Sequence, residues 1–180
     1  MKIKTSALVR RAIMLLDEDM EELDLAQTYG DPGMELRKLA SELTEEALTK
    51  TFLDADTELI DESKTLDTSY IVANHDGTAD IPLPDDWLRP VEIRINGDKC
   101  VLHDYRDPIP VTRDLTIPGA RLRHIDGRRA LHVDGMGRGG ISVEYLPRPD
   151  TSGATVWIPA GLVNDAARQL ADMVKAIITS

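Results

Sequence analysis

The chain has 180 residues, enough for one compact unit or one domain with a helical appendage. Its 32 acidic against 21 basic side chains give a formal charge of -11, which opposes broad contact with nucleic-acid phosphates or an anionic membrane surface. Only 4% of residues are aromatic, so the core has to be built mainly from Leu, Val, Ile and Ala.

Lys2 and Lys4 open the chain, but Arg10, Arg11 and Asp17 interrupt the apolar residues before a signal-peptide core forms, so secretion is not expected. Leu8, Ala12, Ile13, Leu16, Met20 and Leu23 recur at spacings of three and four, which predicts a helix over residues 6–27 with Thr5 or Ser6 as N-cap. Tyr29, Gly30, Asp31, Pro32 and Gly33 are turn formers, and Asp31 as N-cap with Pro32 at the first helical position opens a second helix. Leu36, Leu39, Ala40, Leu43 and Ala47 carry it on, so residues 1–52 read as a helical hairpin. Each helix has one apolar stripe, which must lie on the other helix or on a neighbouring subunit. Residues 53–67 hold Asp54, Asp56, Glu58, Asp61, Glu62 and Asp67 without periodicity and read as an acidic linker.

From residue 68 the period changes to two. Tyr70, Ile71 and Val72 lead through Asn74-His75-Asp76-Gly77 to Ala79, Ile81 and Leu83, a hairpin pattern. Val91, Ile93 and Ile95 alternate with Glu92 and Arg94 before Asn96-Gly97 and a return over residues 99–105, a second hairpin. Residues 121–125, the turn Asp126-Gly127 and residues 129–133 form a third, and residues 141–146 a further strand. Residues 68–147 therefore read as antiparallel β. Residues 148–180 return to helix, with Leu162, Val163, Ala166, Ala167, Leu170, Met173, Val174 and Ile177 on one face for packing against the amino-terminal helices. Helices at both ends and a contiguous β region between them define an α+β fold. No apolar run approaches the roughly 20 residues that cross a bilayer, so a soluble protein is expected.

The chemical motifs are weak. Gly135-x-Gly137-x-x-Gly140 matches a dinucleotide fingerprint in spelling, but a strand follows it where a helix is required. His75, His103, His124 and His132 lack the short spacings of metal ligands, and Asp54, Asp56 and Glu58 lack the glycine and closing glutamate of a calcium loop. Ser142 and Cys100 lie in alternating strands rather than at a nucleophile elbow, and adjacent Asp85 and Asp86 point apart. The lone Cys100 also excludes an intrachain disulfide and fits a reduced cytosol. No catalytic residue, metal or cofactor is expected.

The most distinctive string is Leu83-Pro84-Asp85-Asp86-Trp87-Leu88. Trp87 either covers the edge of the aliphatic core, the stronger use in an aromatic-poor domain, or joins Leu88 in anchoring another subunit. Trp157, before Pro159, invites the same two readings. Arg121, Arg123, Arg128, Arg129 and Arg138 form a basic cluster that suits either an acidic neighbouring protein or a small anionic ligand.

The layout of Thr5-Ser6-Ala7-Leu8-Val9 on an amino-terminal helix, the string from Ile81 to Arg89 opening the β region, and Trp157-Ile158-Pro159 before a carboxyl helix resembles head-to-tail adaptor proteins of tailed phages. The likeness is to connector ring proteins of crAss-like and other short-tailed phages, and it spans nearly the whole chain. The resemblance implies a virion protein, made in the host cytoplasm, forming a ring of about twelve copies beneath the portal protein. It would carry the next tail or ring protein, with DNA only passing through its channel, no membrane contact and no enzymatic activity.

Overall fold

The computed structural model describes residues 1–20, 32–74, 77–103, 119–133 and 140–180. It combines helices with mainly antiparallel strands in two units, residues 1–62 with 148–180 and residues 63–147.

The first unit opens on strand β1 (Lys2–Lys4), which runs directly into helix α1 (Thr5–Met20). Thr5 does not cap this helix from outside. It is the first helical residue, and its N–H and hydroxyl donate to the carbonyls of Ala154 and Gly153 at 3.1 and 3.4 Å. Leu8, Val9, Ala12 and Leu16 form the buried stripe of α1. Leu23, the expected end of this helix at residue 27 and the Asp31 cap lie outside the described residues.

Helix α2 (Pro32–Asp54) buries Ala40, Thr44, Ala47, Leu48, Thr51 and Phe52. Thr44 and Thr51 would leave orphaned hydroxyls in that seam, but they donate to the carbonyls of Ala40 and Ala47, each at 2.8 Å. Helix α3 (Val163–Ile178) contributes Ala166, Ala167, Leu170, Ala171 and Val174 and packs against both α1 and α2. Alanines on all three helices at the seam let the backbones approach closely. Strand β11 (Thr155–Trp157) pairs antiparallel with β1, Ile3 opposite Val156.

The acidic stretch over residues 53–67 departs from a plain linker. Helix α2 continues through Leu53 and Asp54, a single 3-10 turn follows at Thr57–Leu59, and Lys64–Thr65 forms strand β2. Thr51 and Phe52 are buried and hold the helix in place, whereas exposed carboxylates suit helix, turn and strand alike. Asp56 accepts the Glu58 N–H at 3.3 Å and so caps the turn.

Among the described residues the second unit contains β2 and eight further strands: β3 (Val72–Ala73), β4 (Ala79–Pro82), β5 (Trp87–Ile95), β6 (Asp98–Lys99), β7 (Val101–His103), β8 (Gly119–Ile125), β9 (Arg128–Val133) and β10 (Ile141–Pro147). One sheet has the order β2-β10-β5-β6 and the other β3-β4-β9-β8-β7. Ile81, Ala120, Leu131 and Val133 of the second sheet share a core with Trp87, Ile93, Ile95, Ile141, Val143 and Tyr145 of the first. Alternation sets this burial: along β10, Ile141, Val143 and Tyr145 point inward while Ser142 and Glu144 point out.

Two turns behave as their sequences require. Asn96 and Gly97 have φ of 57° and 93°, Asp126 and Gly127 have 49° and 77°, and each pair closes a two-residue hairpin whose twist matches its strands. One pairing departs from the all-antiparallel expectation. The Asn96-Gly97 hairpin returns only through β6, after which β7 pairs parallel with β8, Val101 opposite Gly119. Alternation over residues 99–103 specifies a strand but carries no information about its partner.

Candidate functional site

The β8–β9 hairpin begins inside the core and ends outside it. Ala120 and Val133 are buried at its base, Ile125 at its tip is 36% exposed, and on the rung between them Leu131 is buried while Leu122 is 37% exposed. Arg121 lies opposite His132, Arg123 opposite Ala130, and Ile125 opposite Arg128. Directly opposed residues share a face, so Arg121, Arg123, Ile125 and Arg128 stand together on one side. Neither Arg123 nor Arg128 makes a hydrogen bond or ion pair among the described residues. Arg129 alternates to the opposite face, where its guanidinium donates to the Trp87 carbonyl at 3.2 Å. Four of the five arginines of the basic cluster are thus sorted into three on one face and one serving the core; Arg138 lies outside the described residues.

The same arginine face holds a polar cluster that sequence reasoning missed. His132, 5% exposed, has Nδ1 at 2.7 Å from Asp80 Oδ1, and Asn74 donates to Asp80 Oδ2 at 2.9 Å and to the Thr78 hydroxyl at 2.9 Å. Burial pushes the Asp80 carboxyl upward, but hydrogen bonds from Asn74 and His132, with the charges of His132 and Arg123, hold it below its ordinary range. The only sequence signal was the placement of Asp80 and His132 at outward positions of alternating strands, and their meeting depends on register.

The turn at Leu83-Pro84-Asp85-Asp86-Trp87 serves the core. The Trp87 N–H donates to the Pro84 carbonyl at 3.0 Å, and the fully buried indole stacks on Tyr145, ring centroids 5.0 Å apart and planes 19° apart. Asp86 joins two other strands to this point, accepting from the Tyr145 hydroxyl at 3.0 Å and from Lys64 Nζ at 2.6 Å. Burial, reinforced by the hydrogen bond to Asp86 and its charge, pushes the Tyr145 phenol up to about 12. Trp87 therefore cannot serve as an exposed anchor. A large aromatic in an aliphatic core is drawn inward by its apolar area. Leu88 is half-buried, and Trp157 meets Phe52 in a T-shaped contact, centroids 6.2 Å apart and planes 80° apart, while donating its indole N–H to Glu62 at 3.0 Å.

Other candidate chemistry is dispersed. Cys100 is buried, and burial alone pushes its thiol up to about 11, which keeps it protonated and poorly nucleophilic near neutrality. Ser142 is exposed, opposite Arg94. Among the described residues no three His, Cys, Asp or Glu side chains converge as a metal site. Gly140 leads into β10, not a helix; Gly135, Gly137 and His75 lie outside the described residues. On the helical unit, Arg11, Leu15, Asn164, Asp165 and Arg168 line an open groove of about 390 Å³.

Charge is divided unevenly between the units. Residues 63–147 carry 13 acidic and 11 basic side chains, net -2, and the helical unit carries 19 and 10, net -9. No family model matches the chain, and no curated protein matches it in sequence. Among the described residues no helix is long and apolar enough to cross a membrane.

Proposed function

We propose that the chain is a virion structural protein: a head-to-tail connector whose copies form a ring between portal and tail and line the DNA exit channel. The observation that carries this reading is the element order. Helices from both chain ends make one unit and the β region is inserted between them, the layout of the phage connector proteins that the sequence resembles.

Copies joined through two unlike surfaces close into a ring when the rotation between them permits, here of about twelve copies. The portal protein and the next tail or ring protein would be its axial neighbours, in the virion neck. A lumen lined by the acidic unit would repel passing DNA rather than hold it. The assignment is structural rather than enzymatic and involves no cofactor.

Electron microscopy of the purified chain with and without a portal protein tests the reading. Rings alone, or an added collar on the portal, are expected; a chain that stays monomeric and leaves the portal bare would overturn it. A second reading, a soluble module holding an anionic ligand, is favoured by the arginines at positions 121, 123 and 128 sharing one face. Saturable one-to-one binding of inorganic phosphate by a monomer that ignores the portal would support that reading instead.

A further inference from the structure

Two exposed surfaces, one in each unit, are complementary in both charge and apolarity. On the hairpin tip, Arg123 and Arg128 stand beside Ile125, with Leu122 on the opposite face. On the helical unit, Leu53 and Leu59 are 48% and 44% exposed in the acidic segment that holds Asp54 and Glu58. We infer that the β8–β9 hairpin of one copy docks on residues 53–62 of the next, setting Arg123 and Arg128 against Asp54 and Glu58 around a small apolar centre. The choice of a second copy as occupant rests on the ring reading above.

The carboxylates of the segment divide by use. Asp56 caps the 3-10 turn, Asp61 accepts the Ala160 N–H at 3.0 Å, and Glu62 accepts from Trp157. These bonds hold the segment in one shape before any partner arrives, which lowers the ordering cost of binding. No hydrogen bond or ion pair among the described residues uses the Asp54 or Glu58 carboxylates, as none uses the Arg123 or Arg128 guanidinium groups.

The sign of the charges also excludes contact of either surface with itself. Copies meeting through the same surface would oppose arginine to arginine or carboxylate to carboxylate, whereas unlike surfaces bring opposite charges together. A head-to-tail contact of this kind propagates, and closes as a ring where the rotation between copies permits. Leu53, Leu59 and Ile125 supply the water-excluding centre, and the charges supply register and rate.

Charge reversal tests the pairing. Sedimentation velocity would compare wild type, Arg123→Glu/Arg128→Glu and Asp54→Lys/Glu58→Lys, each alone and the two variants mixed, with circular dichroism verifying that each folds. Each variant alone should need at least a roughly tenfold higher concentration to assemble, and the equimolar mixture should recover assembly, because opposite charges again face one another. Wild-type assembly should also weaken between about 50 and 500 mM salt, a measurement that needs no variant. A variant that assembles like wild type, or a mixture that stays apart, overturns the inference. Rings that still form on the portal with either variant would do so while leaving the ring reading intact, whereas a wild type that never forms rings and never binds portal removes both.

Discussion

The helical unit and the β unit close their cores in different ways. In the helical unit small side chains, Ala12, Ala40, Ala47, Ala166, Ala167 and Ala171, are interspersed with Leu8, Leu16, Leu48, Phe52 and Leu170, so the backbones approach closely at the alanines. In the β unit a few large side chains fill the space between two sheets, with Trp87 stacked on Tyr145 at the centre. The alanine positions of the first are sensitive to added volume, the aromatic pair of the second to removed volume.

The largest effect should come from truncation in the β unit: Trp87→Ala is expected to cost about 3–5 kcal/mol in denaturant unfolding. Trp87→Phe should cost much less, since it keeps most of the stacked area and removes an indole N–H that is buried without a hydrogen-bond partner among the described residues. Equal losses for the two variants would break the volume argument. Overpacking sharpens the other side of the comparison. Ala167→Leu in the helical unit should lose about 1–3 kcal/mol by the same measurement, although it adds apolar surface. A gain in stability would mean that the helices can separate freely.

Smaller effects follow from turn and charge. Gly127→Ala places a β-carbon at a φ of 77°, and should lower stability by about 1 kcal/mol, although nothing stands within 4 Å of the added atom. For Asp80 the folded carboxyl titrates below its ordinary value near 3.8, so its stabilising contribution is complete above that value and is lost as pH falls through the folded one. The stability gap between wild type and Asp80→Asn, measured by thermal melts from pH 7 downward, should therefore narrow below about pH 4. A gap unchanged at pH 3 would detach Asp80 from its ionic setting. Least of all should happen at Cys100, whose buried thiol should resist maleimide at neutral pH until the protein unfolds.

Much of this contrast was legible in the sequence because it rests on periodicity. The stripe of Leu8, Ala12 and Leu16, the α3 face from Leu162 to Val174, and the Asn96-Gly97 and Asp126-Gly127 turns all follow from local rules. Partner choice does not. The parallel pairing of β7 with β8, the pairing of β1 with β11, and the meeting of Asp80 with His132 depend on register between strands distant in sequence. The acidic segment was misleading for another reason. Its carboxylates reported exposure, while buried Phe52 at its start and the Asp56-capped turn within it set its shape. For the candidate interface, residue types were visible in advance, but the division of Arg121, Arg123 and Arg128 from Arg129 required the hairpin register.

The β unit enters and leaves the chain at one place. Strand β2 lies beside β10, Lys64 opposite Tyr145, and Ser63 donates its hydroxyl to Glu144 at 2.8 Å, so its first and last strands are neighbours. A segment with adjoining ends can be exchanged as a cassette, because a short bridge can replace it without stretching the chain that remains. Evolution or a protein engineer could thereby alter what the inserted unit presents while the helical scaffold keeps its connectivity.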